Sequence, residues 1–420
     1  MHIDFALGNV LHYPSMSAVE KAKKIVQKLA AQGHQAYFAG GWVRDFLLGL
    51  PSEDIDIVTS AMPSEILDLF PETLLVGLAF GVVLVSCGEY QFEVATFRRD
   101  EGVKDGRRPE SISFSTPQED AQRRDFTING MFFNPLTQQV LDFVHGRVDL
   151  ERGVIRAIGD PQARFFEDRL RMIRAFRFSA RFGFAIELAT QEAITENATY
   201  LFPSVAQERV WQELTKMAAY PRFDVAVAEM HRLHILQEIF PELAHLHLQE
   251  LRQRVSSFRH FPQNTPTLLY LAELFEGLEL EEKVAIAKRI SAPNREIKLM
   301  EHMHALFPRL QRGLERNVET LHLLAHSATE LGIKLFVANL QEEERALVAE
   351  NIYRFLEENQ DLIGRVREKR PLVCAADLMK RGIAPGRKMG EWLKQAEKVA
   401  VEKGCATKEE VFQCLPQFEV

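Results

Sequence analysis

The spacing of apolar residues changes character about a third of the way along this chain. In the first 150 residues the apolar runs are short and bounded by turn residues. Ala36 to Ala39, Asp54 to Val58, Val82 to Ser86 and Gln91 to Thr96 read as short strands. Val19 to Ala31 repeats at helical spacing and Gly33 ends it. Pro63 to Phe70 predicts a helix with Pro63 in its first turn. Glu101 to Pro109 is polar, charged and glycine-containing, and predicts a mobile loop. From about Glu167 the period is helical almost throughout. Breaks are expected at 261–266, at 291–294, near Asp361 and at 382–386. The pattern predicts a small head of mixed helix and strand, followed by a long α-helical remainder.

Composition narrows the chemistry. A length of 420 residues suggests about two to four domains. The net charge of −8 does not point to nucleic acid, so a polyanion binder must concentrate its cations locally. It does: residues 147–181 hold nine arginines, no lysine and five acids. Arg98, Arg99, Lys104, Arg107 and Arg108 form a second basic cluster. The four cysteines are scattered without ligand spacing, which argues for a reducing compartment and against structural zinc. The N-terminus lacks a signal-like pattern, and the longest apolar stretch, Leu74 to Cys87, is too short and glycine-broken to span a bilayer. The expectation is a cytoplasmic protein with no membrane partner.

Asp54-Ile-Asp56 carries the sharpest chemical signal. On a strand its two carboxylates project side by side, with Ile55 and Ile57 facing the core. Like charges held that close are costly unless a cation lies between them. Hard oxygen ligands favour Mg²⁺, which also takes phosphate oxygens. Upstream, Gly40-Gly41 lets backbone approach a ligand and opens a helix, Val43 to Leu48, that can receive phosphate. Either motif alone is more often a solvated strand edge or a turn; in this order they suggest metal-assisted chemistry on a nucleoside triphosphate. Glu93, on a strand with Gln91 and Ala95 as its period-two partners, is a third candidate metal ligand if that strand lies beside Asp54, and otherwise a solvent-facing residue.

Two further clusters fit that chemistry. In Asp120-Ala-Gln-Arg123-Arg124-Asp125, arginines beside an acid at a helix start can hold triphosphate and ribose; the alternative is a salt-bridged cap. Asp168 and Arg171 are three apart and share a face if one helix carries both. An acceptor beside a donor suits cytosine and adenine, each with an exocyclic amino group beside a ring acceptor. It mismatches uracil and guanine, and mismatched buried polar groups supply most of such discrimination. The alternative is an intrahelical ion pair.

These residues resemble the class II tRNA nucleotidyltransferases, the CCA-adding enzymes that share a family with bacterial poly(A) polymerases. The resemblance rests on Gly-Gly-Trp-Val-Arg-Asp with Asp54-x-Asp56, Arg123-Arg124-Asp125-Phe-Thr-Ile-Asn129, the Ile155 to Asp160 turn, Glu167-Asp168-x-x-Arg171 and Glu208-Arg209 through Lys216, in that order over roughly residues 20 to 310. It implies an α+β fold: a polymerase-β-like nucleotidyltransferase head with a mixed sheet (1–155), then an all-α neck (156–215), body (216–310) and tail (311–420), with tRNA along the helical part. It implies Asp54 and Asp56 as catalytic metal ligands. Gly40, Gly41 and Arg44 would meet the triphosphate, with Arg124 and Asp125 placing phosphate and sugar. Asp168 and Arg171 would read the base, Glu167 would orient Arg171, and Arg174 and Arg177 would line the same pocket. Glu208 and Arg209 would brace the neck. Gly130 stands where the family more often has Ala, which reads as a modest change. The 77–81 stretch and the loop near residues 100–109 favour CCA-adding members that complete the terminal A.

The expected activity is template-independent addition of CMP, CMP and AMP to tRNA from CTP and ATP, with Mg²⁺ and release of pyrophosphate. The alternatives are an enzyme adding only A or only CC, a poly(A) polymerase, and a non-catalytic RNA-binding protein.

Overall fold

The computed structural model describes residues 16–77, 81–103 and 109–415. The chain forms two compact units, Met1–His245 and Leu246–Val420. No described helix is long and apolar enough to cross a membrane.

The first unit is built on a seven-stranded sheet. Its strands are β1 (Ala36–Ala39), β2 (Asp56–Thr59), β3 (Thr73–Gly77), β4 (Val82–Cys87), β5 (Tyr90–Thr96), β8 (Met131–Asn134) and β9 (Gln139–Asp142), in the order β3-β4-β5-β2-β1-β8-β9. The β2–β5 pair is parallel and the others are antiparallel, so the sheet is mixed. Helix α1 (Met16–Ala31) packs Ala22, Ile25 and Leu29 against it, and these three are almost fully buried. Burying a Leu or Ile contributes about 1.5–3 kcal/mol. Ala39, Val58, Phe97, Ala121 and Phe132 form a second apolar cluster. Helices α2 (Gly41–Leu47), α3 (Pro63–Leu69, with Pro63 in its first turn), α4 (Pro117–Gln122) and α5 (Gly146–Arg152) complete the head.

Two expectations need correction. The strand predicted from Asp54 begins at Asp56. Its partner β1 ends at Ala39, opposite Asp56, because Gly40 turns the chain away at φ 66°. Asp54 therefore has no ladder partner on β1. Of the loop expected from Glu101 to Pro109, the described residues 101–103 and 109 lie in a ribbon, in which β6 (Arg98–Val103) pairs antiparallel with β7 (Pro109–Phe114). Pairing satisfies the backbone of both strands without requiring an apolar sequence. Residues 104–108, including Lys104, Arg107 and Arg108, and residues 78–80 of the 77–81 stretch lie outside the described residues.

After a short parallel pair, β10 (Val154–Ile155) with β11 (Ala185–Ile186), the rest of this unit is helical. It comprises α6 (Pro161–Glu167), α7 (Leu170–Phe182), α8 (Leu188–Asn197), α9 (Gln207–Ala218) and α10 (Phe223–Arg232), then shorter turns. Helix α7 packs against α9 and α10. The second unit is all-α, with one core around Leu306, Leu321, Ile333 and Phe336 and another around Leu378, Ala396 and Val411. Its helices break at 261–266, 290–293, Asn359 and 380–386, as the polar and glycine or proline residues there predict.

Candidate functional site

A cleft of about 730 Å³ opens in the first unit, lined by the head strands' ends and by α2, α7 and α9. Gly40 sits at its base. Its backbone conformation, φ 66° and ψ −130°, starts α2 at Gly41. A Cβ there would stand 3.1 Å from Nη1 of Arg124 and 3.5 Å from Oδ2 of Asp56. Glycine thus brings backbone, guanidinium and carboxylate together.

Asp54 and Asp56 both line this cleft. Burial, followed by the charges of Asp54 and Glu93, pushes the Asp56 carboxyl up to about 6, while Arg124 pulls the other way. Ile57 pairs with Val94 in the parallel β2–β5 ladder, so Asp56, at the start of β2, lies beside Glu93, within β5. Two close carboxylates, one resisting its own charge, are a donor set that suits a hard divalent cation. Among the described residues no group of three or more His, Cys, Asp or Glu side chains is gathered closely enough to hold an ion. Glu93 acts on Asp56 through its charge.

The arginines of the cleft are held by acids. Arg123 and Arg124 follow the end of α4 rather than opening a helix, because Thr116 and Pro117 start that helix and its last turn closes at Gln122. Fully buried Asp120 accepts from Arg123 on Oδ1 (2.7 and 2.9 Å) and from Arg124 on Oδ2 (3.0 and 3.2 Å). Asp125 accepts from Arg174 on Oδ2 (2.6 and 2.8 Å) and from the Asn129 amide on Oδ1 at 3.0 Å. Burial alone would raise the Asp125 carboxyl, but Arg174 and Asn129 outweigh it and hold it well below the usual carboxylate range. Arg44 is buried and donates to Asp45 (2.8 and 2.9 Å) and to Asn129 (2.6 Å), so most of its fork is already engaged. The other Asp45 oxygen takes Arg181 of α7 at 2.9 Å. Arg177 donates to buried Glu213 of α9 at 2.6 Å. The ring of Phe178 lies 4.3–5.4 Å from the guanidinium carbons of Arg177, Arg44 and Arg174.

Asp168 and Arg171 both line the cleft, but they do not share a helix. Helix α6 ends at Glu167, Asp168 is extended (φ −149°, ψ 104°), and α7 starts at Leu170. The Asp168 carboxylate accepts the Leu170 N–H at 3.0 Å, an alternative to continuing the helix. Its ionic partner is Arg209 (2.9 and 3.3 Å), not Arg171. Arg171 donates to Glu167 (2.6 Å) and to the carbonyls of Arg164 and Arg123 (both 3.0 Å). An ionised carboxylate has about four acceptor positions and a guanidinium five N–H donors. Three are engaged on each side, which leaves one acceptor on Asp168 and two donors on Arg171.

Of the residues singled out in the sequence, Gly40, Gly41, Arg44, Asp54, Asp56, Arg124, Asp125, Asp168, Arg171, Arg174 and Arg177 line this cleft, Glu167 reaches it through Arg171, and Glu93 is not part of its lining. Sequence reading held Asp45, Asp120, Asn129 and Glu213 within its motifs without giving them an anchoring role of their own, and did not single out Arg181 or Phe178. Arg209, read as a neck brace, reaches into the cleft. Asp120 stands three and four residues before its arginines, a helical spacing that could have found it. Asp45 and Arg181 are 136 residues apart, and only the fold brings them together.

The chain is similar to known proteins. Residues 36–156 match the family described as Poly A polymerase head domain. Residues 183–246 match that described as "Probable RNA and SrmB- binding site of polymerase A". A CCA-adding enzyme of Lactiplantibacillus plantarum is 42% identical over 199 residues, 47% of this chain and 48% of that protein. One from Anoxybacillus flavithermus is 40% identical over 225 residues, 53% of this chain and 56% of that protein. The chain spans about half the length of the curated relatives it matches. Among solved structures, the Bacillus stearothermophilus CCA-adding enzyme in complex with CTP superposes with a TM-score of 0.74 at 25% identity, covering 94% of this chain and 97% of that one. The Thermotoga maritima CCA-adding enzyme complexed with tRNA shares the fold, with a TM-score of 0.68 at 22% identity over 95% of each chain.

Proposed function

We propose that this chain, which belongs to the tRNA nucleotidyltransferase and poly(A) polymerase family, adds CMP, CMP and AMP to the 3′ end of tRNA from CTP and ATP without a template. What carries the reading is one cleft holding both an unpaired carboxylate pair, Asp54 and Asp56, and a base-sized donor–acceptor set, Asp168 and Arg171. A cytoplasmic site of action fits the substrates.

The roles follow from the groups each side chain has free. Asp54 and Asp56 would hold Mg²⁺. When bound, the metal supplies Lewis acidity at the attacking 3′-oxygen and at the leaving pyrophosphate. Arg124, held by Asp120 and laid against Gly40, presents its remaining N–H to phosphate, and Asp125 helps to place phosphate and sugar. Gly40 and Gly41 let the triphosphate approach the backbone, with Arg44 beneath. The free acceptor of Asp168 takes the exocyclic amino group of cytosine or adenine. The two free donors of Arg171 meet N3 and O2 of cytosine, or N1 of adenine. Glu167 fixes the Arg171 fork, and Arg174 and Arg177 give the pocket its positive wall. We assign the head to residues 1–155, the neck to 156–215, the body to 216–310 and the tRNA-contacting tail to 311–420.

The test is incorporation on three tRNA transcripts, ending at the discriminator base, at C and at CC, with each nucleotide singly and together, followed by sequencing of the ends. Stopping at CCA on every transcript, with UTP and GTP refused, is the expected result. Addition only to the CC-ended transcript would make this an A-adding enzyme, and a stop at CC a CC-adding one. Long A tails would place it with the poly(A) polymerases. No incorporation by folded protein would leave an RNA-binding role.

A further inference from the structure

Eight arginines and one lysine line the nucleotide cleft. Every one of the eight arginines is engaged by a carboxylate. Asp45, Asp120, Asp125, Glu167, Asp168 and Glu213 account for all of them. Among the described residues Asp54 and Asp56 are left without a bonded cation, and the metal reading accounts for them. Lys216 is left as well. It is exposed, on α9, one turn beyond Glu213, and among the described residues it has no hydrogen-bond or ion-pair partner.

We infer that Lys216 receives a backbone phosphate of the RNA whose 3′ end enters the cleft. The inference rests on the tRNA reading above. An arginine fork pinned by an acid is suited to a ligand of fixed shape, such as a nucleotide. A free ammonium on a four-carbon stem is a mobile point charge, suited to a hydrated phosphodiester whose position changes as the end grows. The other phosphate source is the incoming triphosphate. That group belongs at the carboxylate pair, where the cation acting on Asp56 is Arg124.

Counterion release separates the two sources. Each cation that neutralises a nucleic-acid phosphate contributes about 0.7 (single strand) to 0.9 (duplex) to the slope of log affinity against log salt. Wild type, Lys216→Gln and Lys216→Arg would be titrated with a tRNA transcript lacking its CCA end, without nucleotide, from about 50 to about 200 mM KCl. We expect Lys216→Gln to flatten the slope by that amount, so that it loses about threefold less affinity than wild type across the range. Lys216→Arg should keep the wild-type slope, and the KM for ATP of Lys216→Gln should stay at the wild-type value. The residue is exposed, so both variants should unfold at the wild-type temperature by circular dichroism.

Superimposable salt slopes for wild type and Lys216→Gln would overturn the inference while leaving the tRNA reading intact. A raised KM for ATP with an unchanged slope would move the contact to the triphosphate. A wild type that binds no tRNA would remove both readings together.

Discussion

Gly40 lies close against Arg124: a Cβ would stand 3.1 Å from Nη1, a contact that the guanidinium must relieve by moving a few tenths of an ångström. The same residue holds a positive φ of 66°. Gly40→Ala therefore meets two penalties, backbone strain of about 1–3 kcal/mol and displacement of the guanidinium. Misplacing a positioning group by about 1 Å costs about a hundredfold in rate. The shift here is smaller, so we expect incorporation to fall by less than that factor, about tenfold, with a lowered thermal midpoint. Wild-type turnover in Gly40→Ala would show that Arg124 does not need its present seat.

Asp120 holds Arg123 with one oxygen and Arg124 with the other, fully out of water. Asp120→Asn keeps the shape and removes the charge, leaving two guanidiniums facing a neutral amide. Breaking a buried ion pair costs about 3–5 kcal/mol. The expected outcome is a fall of that order in urea-derived stability, with a KM for both ATP and CTP raised together. A change confined to one nucleotide would place Asp120 in base selection instead.

That Asp54, Asp56, Asp168 and Arg171 belong to one site was legible because each pair is a short run of chemically unusual neighbours. What held them was not. A local reading of Asp168-x-x-Arg171 assumes one continuous helix, yet Asp168 is extended between two helices and its carboxylate accepts the Leu170 N–H at the start of the second. The acid that balances Arg181 comes from the far end of the unit, and the one that balances Arg177 from another helix. Pairings of that kind follow from which helices pack together, here α7 with α9 and α2, and no spacing rule encodes them. The Asp54 strand failed for a related reason: its length is set by the short partner β1, not by its own alternation.

Gly130 gives a direct test of packing. Alanine at this position reads as a modest change, but a Cβ would lie 2.7 Å from Cγ2 of Val144 and 3.0 Å from Cδ1 of Ile158. Overpacking of this kind costs about 1–3 kcal/mol. Gly130→Ala should lower stability by that amount, and adding Val144→Ala should restore part of it. Equal midpoints for wild type and Gly130→Ala would mean that Val144 and Ile158 move aside freely.

Under the proposed function, base choice would rest on the single acceptor position left on Asp168. Asp168→Ala removes it and frees Arg209 as well. Efficiency with CTP and ATP should fall, and the preference over UTP and GTP should shrink by about a hundredfold or more, since a site built around a polar group discriminates by leaving it unpaired. Competition assays on a CC-ended and a C-ended transcript would read this directly. Undiminished refusal of UTP and GTP would move the selection to other residues.

Asp56 links the cleft to pH. Its carboxyl is pushed up to about 6 by burial and by Asp54 and Glu93, against an ordinary value of 3.8. A folded value above the unfolded one means that the fold favours the protonated acid. The contribution to stability is complete below about pH 4 and is lost as pH rises through about 6. Without metal, wild type should carry a penalty of about 2–3 kcal/mol at pH 7 that Asp56→Asn lacks. The variant should thus be inactive yet more stable, with the gap growing from about pH 4 to about pH 7. Mg²⁺ should narrow that gap by stabilising wild type alone, because only wild type offers the carboxylate pair. Denaturation midpoints at several pH values, with and without Mg²⁺, measure both effects. Parallel pH curves for the two proteins would remove the carboxylate crowding, and an equal response to Mg²⁺ would remove the metal assignment.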